Sequence, residues 1–156
     1  EARGEIIGEK VLQMKLYLDN CCFNRPFDDQ TQLKIHLETQ AKLAVQDMIL
    51  NGKHSLVWSY MLEYENSCNP FEIRRDSIIK WKDIASFYVE ENENILNVAE
   101  NLLIKGLKAK DAIHIACAAE AQCDYFLTTD IGILKKKIDI VKILNPIDYI
   151  IETEGE

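Results

Sequence analysis

Four acidic residues fall where the chain passes from one element to the next: Asp19, Glu65, Asp111 and Asp130. Asp19 ends the apolar run Leu16-Tyr17-Leu18, and Asp130 ends Tyr125-Phe126-Leu127-Thr128-Thr129. Asp111 opens Ala112-Ile113-His114-Ile115-Ala116, and Glu65 follows the apolar stretch from Leu56 to Leu62. Carboxylates so far apart in sequence can meet in space if the strands are neighbours in one sheet. Gathered without compensation they repel one another, and a divalent cation relieves that repulsion. Hard oxygen ligands suit Mg²⁺ or Mn²⁺ rather than zinc. His36, His54 and His114 are scattered and form no competing His/Cys cluster. His114 lies one turn beyond Asp111, within approach of the same site, but by itself reads as a satisfied core histidine.

Each acid alone has an ordinary explanation. Asp19-Asn20 suits a turn held by local backbone hydrogen bonds. Asp130 suits the N-cap of a helix beginning at Ile131. Asp111 suits a first helical turn, where the dipole favours negative charge. Together these explanations leave out the recurrence of an acid at each place where a parallel sheet presents its ligand-binding edge. Asp111 also shares a helical face with Ile115, Ala118 and Ala119, and an acid on a packing face needs a reason. Glu63 competes with Glu65. Two residues apart on a helix, the two point in different directions, so one of them faces the site.

The elements that must position these acids follow from periodicity. A strand is expected over 15–18, then a loop over 20–27 containing Pro26. Asp29-x-x-Gln32 has the form of a capping box opening a long helix. Within that helix Leu37, Ala41, Ala44, Val45 and Met48 recur at helical spacing, and Asn51-Gly52 stops it. A second strand over 56–59 leads into a short helix carrying Glu63 and Glu65, closed by Asn69-Pro70. Two amphipathic helices follow, one with Ile78, Trp81, Ala85 and Tyr88 on a face, the other with Ile95, Val98, Ala99, Leu102 and Leu103 and ending at Gly106. The helix over 110–121 is apolar nearly all round and is expected at the centre. Strands over 124–129 and 140–144 flank a short helix over 131–137, and a last apolar segment covers 147–151. Strands alternating with helices give a three-layer α/β/α sandwich around a central, mainly parallel sheet.

Composition narrows the function classes. With 47% hydrophobic and 28% charged residues in 156, the chain reads as one globular domain with a real core. No apolar run approaches the roughly 20 residues that span a bilayer. The five cysteines are odd in number, lack metal spacing and read as small buried hydrophobes in a reducing cytoplasm. The charged segment before Met14 lacks the apolar core of a secretory signal. Residues 1–13 read as an upstream extension or expression remnant, 14–152 as the domain, and 153–156 as an acidic tail. A net charge of −8 argues against nonspecific coating of nucleic acid. It leaves room for an acidic metal site with local basic patches: Arg74-Arg75 with Lys80 and Lys82; Lys105, Lys108 and Lys110; and Lys135-Lys136-Lys137. Each patch alone reads as a solvated helix face.

The segments Leu16-Tyr17-Leu18-Asp19, Lys110-Asp111-Ala112-Ile113-His114-Ile115-Ala116 and Phe126-Leu127-Thr128-Thr129-Asp130 resemble the three acidic motifs of PIN-domain ribonucleases, the group that includes VapC-type toxins. The resemblance spans 14–152 in the right order. It implies a PIN-like fold and Mg²⁺- or Mn²⁺-dependent hydrolysis of RNA, with Asp19, Asp111 and Asp130 holding metal. The family's second acid is a Glu in the helix after the second strand, and the spacing Ser59-x5-Glu65 matches it better than Glu63 does. Glu65 would hold metal or orient the attacking water. An antitoxin protein is the implied partner. The exposed faces of the two middle helices suit either a second copy of the chain or solvent, and Arg25, in the loop after Asp19, suits either a phosphate contact or packing on its own fold. The chain departs from the family after Asp130, where Ile131, Gly132 and Ile133 offer no further acid. An inactive PIN-like module that binds RNA or protein is the alternative. A phosphoryl-acceptor domain using Asp19 ranks last, because Cys21 stands where it would want a second acid.

Overall fold

In the computed structural model the described residues are 5–6, 9–10 and 13–154. The reading of residues 1–13 as an extension lies largely outside them; residues 5–6 and 9–10 pair as a two-residue antiparallel ladder. The apolar run at the first acid forms β1 (Met14–Leu18), followed by α1 (Asn20–Asn24), a 3₁₀ turn (Arg25–Phe27) and α2 (Leu33–Leu50). The next crossover places β2 (His54–Ser59), α3 (Tyr60–Ser67) and α4 (Glu72–Ile84). Then come β3 (Phe87–Val89), α5 (Glu93–Leu103) and α6 (Ala109–Glu120). The chain closes with β4 (Tyr125–Leu127), α7 (Ile131–Leu134), β5 (Lys142–Leu144) and α8 (Pro146–Glu154).

The five strands form one sheet in the order β3-β2-β1-β4-β5, with every pairing parallel. Each parallel step requires a crossover, and helices supply it. Tyr17 sits between Val57 on β2 and Phe126 on β4. That row faces α6: Tyr17 stacks on Phe126 and meets the His114 ring edge-on. The opposite row includes Trp58, which packs against Phe23 of α1, with Trp81 of α4 beyond it. Tyr149 of α8 closes the same side against Tyr125 and His54. Leu16, Tyr17, Leu18, Leu56, Val57 and Trp58 have no exposed surface, as central strands covered on both faces require. The result is the α/β/α sandwich expected from the alternation.

Several local expectations need correcting. The stretch expected as a loop after Asp19 is helix α1 and a 3₁₀ turn, with Pro26 tolerated in the first turn of the latter. The capping box does not form. Asp29 Oδ1 instead accepts from the Thr31 amide and hydroxyl, and α2 starts after Gln32 without a side-chain cap. The helical face drawn through Tyr88 stops at Ile84; Ala85 turns extended and Phe87–Val89 becomes an edge strand on β2. Three residues are too few to show a period of two, and their apolar character continued a helical stripe by chance. The last apolar segment is helix α8. Pro146 occupies its first turn, where no amide is required, and Asn145 Oδ1 accepts from the Ile147 amide. That helix runs through Thr153 and Glu154, two of the residues expected as tail. All five cysteines are free thiols. Among the described residues no helix is long and apolar enough to cross a membrane.

Candidate functional site

The strand order reverses direction at β1, whose neighbours β2 and β4 are reached by opposite excursions. In such sheets the crevice outside the strand ends at the reversal is where ligands bind. Asp19 follows β1 and Asp130 follows β4 by three residues, so both lie on this edge. The Asp19 amide donates to Leu127 O (2.9 Å), prolonging the β1–β4 ladder to the acid itself. Buried Thr128 joins the two ends: its hydroxyl donates to Asp19 Oδ2 (2.8 Å) and accepts from the Asp130 amide (3.0 Å). The other oxygen of Asp19, Oδ1, accepts from the Asn20 amide at the start of α1 (2.8 Å). Cys21 Sγ, 3.4 Å from Oδ2, adds a weak thiol contact. The carboxylate is thereby fixed in place before any ligand arrives.

Glu65 and Glu63 are separated by geometry. Glu63 points outward to Lys82 Nζ (2.7 Å) and the Tyr88 hydroxyl (3.3 Å). Glu65 turns inward, its Oε1 2.6 Å from His114 Nε2 and its Oε2 4.0 Å from Lys110 Nζ. Burial opposes the ionisation of Glu65, but the hydrogen bond and charge of His114, with Lys110 beside it, hold its carboxyl below the usual range. Behind the histidine lies a fully buried layer. Tyr17 OH is 2.6 Å from His114 Nδ1 and 2.6 Å from Ser59 Oγ, which also accepts from the Leu62 amide and so caps α3. With Nε2–H directed at the carboxylate, Nδ1 accepts from the Tyr17 hydroxyl when the ring is neutral and donates to it when the ring is charged. The ring is thus held by a partner on each nitrogen, as orienting layers behind metal ligands typically are.

Asp19, Glu65 and His114 each place one ligand-type atom within 4.8 Å of the others, and since both nitrogens of His114 are engaged by Glu65 and Tyr17, the carboxylates are the donors free to take an ion. Asp111 stands beside this group in the first turn of α6. Burial and then the charges of Asp19 and Asp130 push its carboxyl up from 3.8 to about 6; His114 acts in the opposite sense and Glu65 adds to the rise. Asp130 is both cap and neighbour: its Oδ1 accepts from the Gly132 amide (2.8 Å), opening α7. Asp111 and Asp130 also line one cavity of about 280 Å³. The structure therefore brings all four expected acids to one edge, with Asp111 and Asp130 outside the closest group. The donor set, hard carboxylates whose mutual repulsion is written into Asp111, fits a divalent cation.

Arg25 does not face this cluster. It binds Asp28 Oδ2 (2.9 Å) and the Thr129 hydroxyl (2.8 Å), and its Nε lies 3.1 Å from fully buried Glu38. Glu38 in turn accepts from Asn145 Nδ2 (2.7 Å). Arg74 is likewise absorbed by Asp28 and by the rings of Phe27 and Phe71, and Arg75 by the Asn69 carbonyl. Sequence reasoning left His114 as a core histidine and missed Tyr17, Ser59 and Thr128 altogether. The available signal was positional: Tyr17 lies two residues before Asp19, Thr128 two before Asp130 and His114 one turn after Asp111.

No protein-family model matches the sequence, and no curated protein does. Among solved structures, the fold is similar to that of a chain in the crystal structure of VapBC2 from Rickettsia felis bound to a DNA fragment from their promoter. The TM-score is 0.55 at 12% identity, covering 85% of this chain and 98% of that one. At that identity the likeness is one of fold. The PIN-like architecture implied by the acidic motifs is the one this chain adopts.

Proposed function

We propose that the chain is a Mg²⁺- or Mn²⁺-dependent endoribonuclease. The observation that carries this reading is the convergence of Asp19, Glu65, Asp111 and Asp130 on the reversal edge, where Asp111 is pushed to about 6 by burial and its acidic neighbours. Asp19, Asp111 and Asp130 would hold the ion, with Glu65 as a fourth ligand or the group that orients water. When bound, the ion lowers the pKa of a water molecule and stabilises charge on the phosphoryl oxygens. The protein's part is positional. Thr128 and the Asn20 amide hold Asp19, and the His114–Tyr17–Ser59 layer aims Glu65. Single-stranded RNA is the favoured substrate, since a flexible backbone can enter an acidic crevice. The likeness to a VapBC2 chain supports a toxin role with an antitoxin protein as partner, checked by co-purification. Leu96, Leu103 and Ile104 are exposed apolar residues at which a second copy of the chain would dock.

The second reading, an inactive RNA- or protein-binding module, is favoured by two features: Ile131, Gly132 and Ile133 bring no carboxylate just after Asp130, and one oxygen of Asp130 is committed to capping α7. Two measurements on purified protein separate the readings. Millimolar Mn²⁺ should raise the melting temperature, as binding to the native state alone requires, and should support cleavage of single-stranded RNA. Asp19→Asn and Glu65→Gln should lose cleavage while Glu63→Gln keeps it. Undiminished cleavage by Asp19→Asn and Glu65→Gln would remove the nuclease reading.

A further inference from the structure

The cavity that Asp111 and Asp130 share has a second wall of the opposite sign. Gly106, Leu107, Lys108, Gly132, Lys135 and Lys136 complete its lining. Lys108 is the N-cap of α6, in extended backbone, and Lys135 is the C-cap of α7, so each lysine backbone is fixed by a helix end. Gly106 has a left-handed φ of +91°, and a Cβ added there would come 2.8 Å from Lys136 Nζ. The glycine lets the ammonium lie over the backbone; a side chain there would push it away. Among the described residues, none of these three lysines has an ion-pair partner, although two carboxylates line the same 280 Å³. In a chain of net charge −8, three cations held beside two acids without neutralising them place a position for an anion next to one for a cation.

We propose that Lys108, Lys135 and Lys136 form a phosphate subsite for single-stranded RNA, binding the backbone phosphate next to the one under attack. This rests on the nuclease reading and deepens it. Asp111 and Asp130 on one wall would help hold the ion that acts on the scissile phosphate, and the lysines on the other wall would take the neighbouring phosphate. The strand then runs from the acidic cluster toward α7 and the turn before α6. Arg25 and Arg74 are consumed by internal contacts, so neither guanidinium is free to take that phosphate.

The test uses a labelled single-stranded RNA oligonucleotide on the full chain. Binding is read by fluorescence anisotropy in chelator over a range of salt, and cleavage is read in Mn²⁺. The variants are Lys135→Ala/Lys136→Ala and a control, Lys34→Ala/Lys53→Ala, at exposed lysines elsewhere. The subsite predicts about tenfold weaker binding for the first pair and unchanged binding for the control. It also predicts a log–log salt slope smaller by about 0.7 for each phosphate that the variant no longer neutralises. Lysine-dependent binding supports the subsite even if no cleavage is seen, an outcome that removes only the nuclease reading. Cleavage with equal binding by all three proteins overturns the subsite and leaves the nuclease reading standing. Absence of RNA binding by the wild-type chain overturns the subsite.

Discussion

Replacing Asp111 by asparagine should stabilise the metal-free protein while destroying its response to metal. Moving a carboxyl from 3.8 to about 6 disfavours its charged form by about 3 kcal/mol, at ~1.4 kcal/mol per tenfold. Asp111 is only partly buried, so solvent screening reduces this to about 1–2 kcal/mol. Removing the favourable first-turn charge on α6 subtracts about 0.5 kcal/mol. The net gain at pH 7 is about 1 kcal/mol, a rise of about 2–4 °C in melting temperature for a domain of this size. The sign has a pH signature. The folded-state value lies above the unfolded one, so wild type carries no penalty below 3.8, an increasing one from 3.8 to about 6, and the full penalty above. The advantage of the variant should therefore vanish near pH 4. In Mn²⁺ the order should invert: wild type gains about 2.7 kcal/mol at a hundredfold excess over Kd, and Asp111→Asn gains much less. Thermal melts of both proteins at several pH values, with chelator and with Mn²⁺, give the whole comparison. A variant less stable than wild type in chelator at pH 7, or equal stabilisation by Mn²⁺, would refute the electrostatic account of the site.

Two further perturbations probe the surroundings. Tyr17→Phe removes the buried hydroxyl between Ser59 and His114, which should destabilise by about 1–2 kcal/mol and weaken Mn²⁺ binding about tenfold in calorimetry; unchanged metal affinity would exclude the orienting role. Lys42 is buried against the rings of Phe23 and Trp81, and burial lowers its ammonium from 10.5 to about 8. Lys42→Met should therefore stabilise by about 2 kcal/mol at pH 7. Because the folded value is the lower one, wild-type stability should rise between pH 8 and 10.5 and the gap should close there; a gap independent of pH in chemical denaturation would count against it.

The outcome at the site follows the kind of information each residue carries. Asp19 and Asp130 were legible because a buried parallel strand is a continuous apolar run and an acid ending it stands out. Asp111 was legible because a charge interrupts an otherwise apolar helix. Glu65 and Glu63 were not separable by residue type, since both are acids on one short helix. Lys82 and Tyr88 draw Glu63 outward, and Tyr88 belongs to an edge strand whose three residues resembled the end of a helix.

By itself, the sequence determined the alternation of strands and helices, the covered parallel sheet and the order in which acids reach its edge. These are local properties, set by periodicity and by the cost of burying charge. Tertiary structure alone decided which atoms meet. The β1–β2 and β1–β4 registers bring Tyr17 to Ser59 and Asp19 to Thr128, and the packing of α6 on that face brings His114 between Tyr17 and Glu65. Hydrogen bonds act over about 3 Å, and partners separated by 42 to 109 residues reach that distance only once the sheet has been assembled.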